Sequence, residues 1–166
     1  MYARIIRLNS FFERLDRARF ILAMLLANFV LDVIIVAPLA LVVDITGRTL
    51  ESVQEAGLSP IVIMVMALVI VPLLETWLGQ SLPFSILYRL KIKNPALLIG
   101  ISATWFGLYH VFGMTMGAFI PAFSAGVILA YTFWRWRKID YANAFWMTAA
   151  VHAGLNLLAT AFSLIQ

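Results

Sequence analysis

The apolar runs of this sequence contain the ionisable residues Asp32, Glu75, His110 and His152, and four polar residues there have types that suit amide hydrolysis: Glu75, His110, His152 and Asn156. They include both histidines of the chain. A charged group at bilayer depth costs on the order of 2.5–3.5 kcal/mol on insertion scales, so each ionisable residue in such a run is a functional candidate. Asn156 follows His152 by four residues and Phe106 precedes His110 by four, so each pair projects from one helical face. Two chemistries fit. In the first, Glu75 is a general base that takes a proton from water, and His110 helps to hold that water. His152 and Asn156 then donate hydrogen bonds to the oxyanion of a tetrahedral intermediate, with no cofactor needed. In the second, Glu75, His110 and His152 bind zinc and leave a fourth position for water. Residue identity does not separate the two.

Either chemistry needs rigid elements at matching depth. With 63% hydrophobic and 12% charged residues, the chain has more apolar surface than a soluble domain of 166 residues can hide. Its apolar runs are about 18 to 24 residues long, enough to cross a bilayer, and only helices satisfy their backbone there. The expected fold is all-α: a polytopic transmembrane helix bundle of about five spans, preceded by an amphipathic interfacial helix. Residues 1–19 form that surface helix, with Ile5, Leu8, Phe12 and Leu15 near one face and Arg7, Arg14 and Arg17 elsewhere. The first span is expected at 20–43, and 44–59 is a polar external loop holding one short helix, capped at Thr49 or Ser52 and stopped by Gly57.

The remaining core, 60–166, holds four further spans. The second starts near Pro60 and ends near Leu82, where Pro83 breaks or kinks it. The third follows Asn94-Pro95 and ends near Val111; the fourth covers roughly 114–134 and the fifth roughly 142–164. Counting inward from Arg89, Pro95 and Tyr141 puts Glu75, His110 and His152 roughly 21, 22 and 17 Å deep. Three helices thus bring a carboxylate and two imidazoles to a common level.

The basic clusters Arg4 to Arg19, Arg89 to Lys93, and Arg135 to Lys138 alternate in side with five spans, and only Arg48 lies opposite. The positive-inside rule then places the N-terminus in the cytoplasm and the C-terminus outside, in a multi-pass protein of the cytoplasmic membrane. This accounts for the net charge of +4 without a nucleic-acid partner. With no cysteine, disulfides, thiolate metal sites and a cysteine nucleophile are excluded.

The spacing of these residues resembles the CPBP intramembrane proteases, which include the type II CAAX prenyl endopeptidases and proteins tied to bacteriocin processing or immunity. The family pattern is Glu-Glu-x-x-x-Arg, then Phe-x-x-x-His, then His-x-x-x-Asn or Asp, on successive membrane helices. Here the second motif is Phe106 to His110 and the third His152 to Asn156, both complete. In the first, Glu75 is kept, while Thr76 replaces the second Glu and Gln80 the Arg. Gln80 can hydrogen-bond but supplies neither fixed charge nor a bidentate fork. The resemblance covers about residues 60 to 166. It implies Glu75 and His110 as the water-activating pair, His152 and Asn156 as the oxyanion site, a metal-free mechanism, and a membrane-anchored protein or peptide as substrate.

Other readings of the same residues are structural. The histidines can be interhelical hydrogen-bond partners, Asp32 a satisfied group facing the bundle, and Thr76 and Gln80 packing residues. Gly113 and Gly117 form a G-x-x-x-G that could mark close packing. The rival functions are a non-catalytic binding or bacteriocin-immunity membrane protein, favoured by the changed first motif, and an ion-coupled transporter. The transporter predicts inverted repeats, and the sequence has none.

Overall fold

The computed structural model describes residues 11–12, 14–40, 59–113 and 118–163, and these form five helices with no strand among them. Helix α1 is Arg17–Leu31, continued through a π-helical turn, Asp32–Val36, into Ala37–Ala40. Helix α2 is Pro60–Arg89 and contains two such turns, Met66–Ile70 and Trp77–Ser81. Helices α3, α4 and α5 are Pro95–Gly113, Phe119–Arg137 and Tyr141–Ser163. Residues 1–10, most of the expected surface helix, lie outside the described residues, as do 41–58 of the first span and polar loop and 114–117 with Gly117.

Local sequence accounts for the helix ends. Asp16 accepts the Arg19 N–H at 2.9 Å, Ser59 the Val62 N–H at 3.4 Å, and Asn94 the Ala96 N–H at 2.9 Å. Each side chain satisfies a donor that the first helical turn leaves free, and Pro60 and Pro95 occupy first positions where no N–H is needed. Helix α2 stops where Lys91 takes φ 61°, with Ile92 N–H on the Leu87 carbonyl and Lys91 N–H on that of Tyr88. This is a Schellman ending with lysine in the left-handed position that glycine usually fills.

Pro83 does not end the second helix, contrary to the expectation from sequence: α2 runs on to Arg89. The reason is a recurrent device. Pro38, Pro72 and Pro83 each follow a π-helical turn. The residue just before each, Ala37, Val71 or Leu82, donates its N–H five residues back, to Asp32, Met66 or Trp77. The wider turn shifts the register of the helix at the proline, where a regular α-helix would bring the ring against a carbonyl.

Three helices, Arg17–Leu39, Pro60–Arg89 and Tyr141–Phe162, are long and apolar enough to cross a membrane. Helix α3 contributes a shorter apolar stretch, Pro95–Val111, and α4 ends on Arg135 and Arg137. The core joins Phe20 and Met24 of α1, Phe84 of α2, Leu98 of α3, Leu129 and Phe133 of α4, and Val151 of α5. Exposed Leu22, Leu26, Ile61, Leu74 and Trp146 face outward, where lipid is the solvent. The most extensive contact joins α3 and α4. A Cβ on Gly126 would lie 3.1 Å from the Ala103 Cα and carbonyl oxygen, so a glycine there lets the backbones approach. Phe12, from the described end of the expected surface helix, sets its ring 5.9 Å from Tyr131 and 6.4 Å from Phe20.

Candidate active site

Between its two π turns, α2 carries the short α-helical segment Val71–Thr76, which points Glu75 inward. The Glu75 Oε2 lies 3.3 Å from Nε2 of His152 on α5 and 3.8 Å from Nε2 of His110 on α3. His110 Nδ1 is 2.8 Å from the Phe106 carbonyl, which can only accept. Nδ1 therefore carries a proton, and in the neutral ring Nε2 is left as an acceptor towards the carboxylate. Phe106 also packs against both imidazoles, with centroids 4.5 Å from His110 and 5.7 Å from His152. Its ring in turn fits only because residue 79 is glycine: a Cβ there would come within 2.5 Å of Phe106 Cδ2.

Glu75, His110, His152 and Asn156 all line one cavity of about 360 Å³, together with Phe106 and small residues of α4. The side chains of Glu75 and His110 are each 17% exposed, so the carboxylate is reachable from this cavity. A second concavity, about 350 Å³ along Leu97, Ile101 and Trp105 on α3, has no ionisable group and offers no comparable chemistry. Asn156 donates from Nδ2 to the Ala67 carbonyl at 2.8 Å, a contact that the sequence does not foretell. Helix α4 supplies Pro121, Ala122 and Ala125 to the cavity wall, and Ala118 just before it adds a fourth residue. Sequence reasoning missed these, and their signal was a run of small residues recurring every three or four positions on one helix.

Thr76 and Gln80, which depart from the family pattern, are fully buried, and neither side chain has a hydrogen-bond partner among the described residues. Asp32 stands apart from the trio. It accepts from Asn28 at 2.6 Å and from Ser124 of α4 at 3.1 Å, as a satisfied group facing the bundle. Among the described residues no group of three or more His, Cys, Asp or Glu side chains is arranged to hold a metal. A zinc-bound imidazole as a rule donates from its second ring nitrogen. His110 has such a partner, whereas Nδ1 of His152 is buried without one.

A family model described as type II CAAX prenyl endopeptidase, Rce1-like, matches residues 57–158. The chain belongs to this family. The match spans Glu75, His110, His152 and Asn156 and leaves out α1. It makes the chain a member of a protease family, in keeping with a membrane helix bundle whose polar groups gather at an internal cavity. No curated protein and no solved structure matches the chain.

Proposed function

We propose that the protein is a glutamate-type intramembrane endopeptidase that hydrolyses a peptide bond of a membrane-anchored protein or peptide. The observation that carries this reading is the carboxylate of Glu75 within 3.3 and 3.8 Å of two imidazole nitrogens on the wall of a 360 Å³ cavity. A water between Glu75 Oε2 and His110 Nε2 would donate to both acceptors, which raises its nucleophilicity. As it attacks, Glu75 takes its proton and the substrate carbonyl becomes an oxyanion. The second Nδ2 hydrogen of Asn156 and a protonated Nε2 of His152 serve as its donors. The proton held by Glu75 then passes to the leaving amine, and the carbon–nitrogen bond breaks. The substrate enters unwound, because the carbonyls of a helix are already hydrogen-bonded.

No cofactor is part of this reading, and the bundle sits with its N-terminus in the cytoplasm and its C-terminus outside. The test is cleavage of membrane-anchored peptides by wild-type protein and by Glu75→Gln, each with and without a chelator. Glu75→Gln is expected to slow cleavage by about 10²–10⁴-fold, the usual worth of a general base. Cleavage by the wild type is expected to survive chelation. Loss on chelation with recovery on added zinc would replace the glutamate mechanism by a metal one. Peptide retention without cleavage by either form would favour the binding or immunity protein instead.

A further inference from the structure

We infer that Ser102 and Trp105 of α3 are positioning residues, which hold the Glu75 segment in register by replacing the backbone donor that Pro83 lacks. This rests on the proposed role of Glu75. Pro83 has no N–H, so the helical carbonyls four and five residues back, Gly79 and Leu78, lose that donor. Leu82 N–H does not supply it, since it goes to Trp77. The missing bonds come from the neighbouring helix: Ser102 Oγ donates to Gly79 at 2.7 Å, and Trp105 Nε1 donates to Leu78 at 3.2 Å.

Pro72 poses the same problem on the other side of Glu75. Val71 N–H goes to Met66, and the Ala67 carbonyl, five residues before Pro72, receives Asn156 instead. The six residues that carry Glu75 therefore lie between two π turns, with Pro72 just after the first and Pro83 just after the second, and with a foreign side chain on a released carbonyl near each end. In lipid or a packed interior a carbonyl without a donor is costly, so these side chains decide where the segment settles along and around its axis. Ser102 is fully buried and Gly79 has no side chain to keep the helices apart, which fixes the approach that this bond requires. Ser102 and Trp105 also lie about two turns and a little over one turn before His110 on the same helix. The clamp thereby ties the carboxylate to the imidazole it faces.

The test is a double-substitution cycle. Pro83→Ala restores a backbone N–H, so Ser102 becomes dispensable only if it acts as that donor's substitute. Ser102→Ala alone is expected to lower kcat about 10–100-fold, as misplacement of a reacting group does, with KM changed less than about twofold. In the Pro83→Ala background the same substitution is expected to change kcat by less than about threefold. The ¹⁵N shifts of His110 and His152 provide a readout that needs no turnover. Ser102→Ala is expected to move them towards their values in Glu75→Gln, and Pro83→Ala/Ser102→Ala to return them. Recovered shifts in a protein that cleaves nothing would uphold the clamp while sinking the proposed function. An effect of Ser102→Ala that is equal in both backgrounds, or that appears in KM and the unfolding midpoint alone, would overturn the clamp. If Ser102→Ala does not fold, Trp105→Phe puts the same question to Leu78 with the same outcomes.

Discussion

Asn156 has one amide nitrogen and two uses for it. One hydrogen is spent on the Ala67 carbonyl at 2.8 Å, and the proposed mechanism assigns the other to the oxyanion. Asn156→Ala is therefore expected to show two separable losses. The first is about 10²–10³-fold in kcat from the missing oxyanion donor. The second is about 0.6–1.7 kcal/mol of stability in detergent, the range for an interhelical hydrogen bond in a membrane protein. Cleavage rates and unfolding measured on one preparation check both, and a stability loss with kcat intact would leave Asn156 a purely structural role. Thr76 and Gln80 sit beside this chemistry without charge.

Helix ends and turns set where each of these residues stands. Lys91 closes α2 in the left-handed region at φ 61°, which costs a non-glycine residue about 1–2 kcal/mol. Lys91→Gly is expected to raise the unfolding midpoint without changing cleavage, since the side chain is exposed; a lowered midpoint would show that Lys91 contributes more than backbone shape. Asp140 caps α5. It accepts the Asn143 N–H at 2.7 Å and the Asn143 side-chain amide at 2.5 Å, and Asn143 in turn receives Arg17 of α1 at 2.8 Å. The backbone bond first, then the side-chain bond, holds the Asp140 carboxyl below its ordinary value of 3.8. A lowered folded value means that its stabilisation is fully present above about 3.8 and is lost as the pH falls through the lowered value. The midpoint difference between wild type and Asp140→Ala is thus expected to hold from neutral pH down to about 4 and then to close. A difference that persisted unchanged at pH 2 would contradict the assignment.

At the scale of the whole molecule, basic side chains of the described residues gather at one end of the bundle. Arg17 at the start of α1 lies 6.0 Å from the Trp136 ring at the end of α4, and Arg137 lies 5.6 Å from Tyr141 at the start of α5. Tyr141 hydrogen-bonds Ser81 of α2, and Lys138 lies 4.0 Å from the Trp134 ring. Cations and interfacial aromatics at one level mark one end of the bundle, the end that the positive-inside rule expects in the cytoplasm. Reporter fusions are expected to place the loop after Arg89 and the loop after Arg137 in the cytoplasm, and the C-terminus outside. The two loops found on opposite sides would remove the five-span topology.

Composition and run length determined the helical class, because lipid leaves the backbone few alternatives to helix. Four-residue spacing put Phe106 with His110 and His152 with Asn156 on common faces, because that is the period of a helix. Basic clusters at the span ends gave an expected orientation for the same kind of reason, local charge beside apolar length. The course of α2 past Pro83 was not legible, since the π turns that admit its prolines depend on donors from other helices. Nor was the hold of Ser102 and Trp105 on α2, because neither carries a signature of its own, and the small residues of the cavity wall recur at helical spacing without showing which neighbour they face. Those roles exist only once α3, α4 and α5 have packed against the helix that carries Glu75, and sequence periodicity does not specify which neighbour a given face will meet.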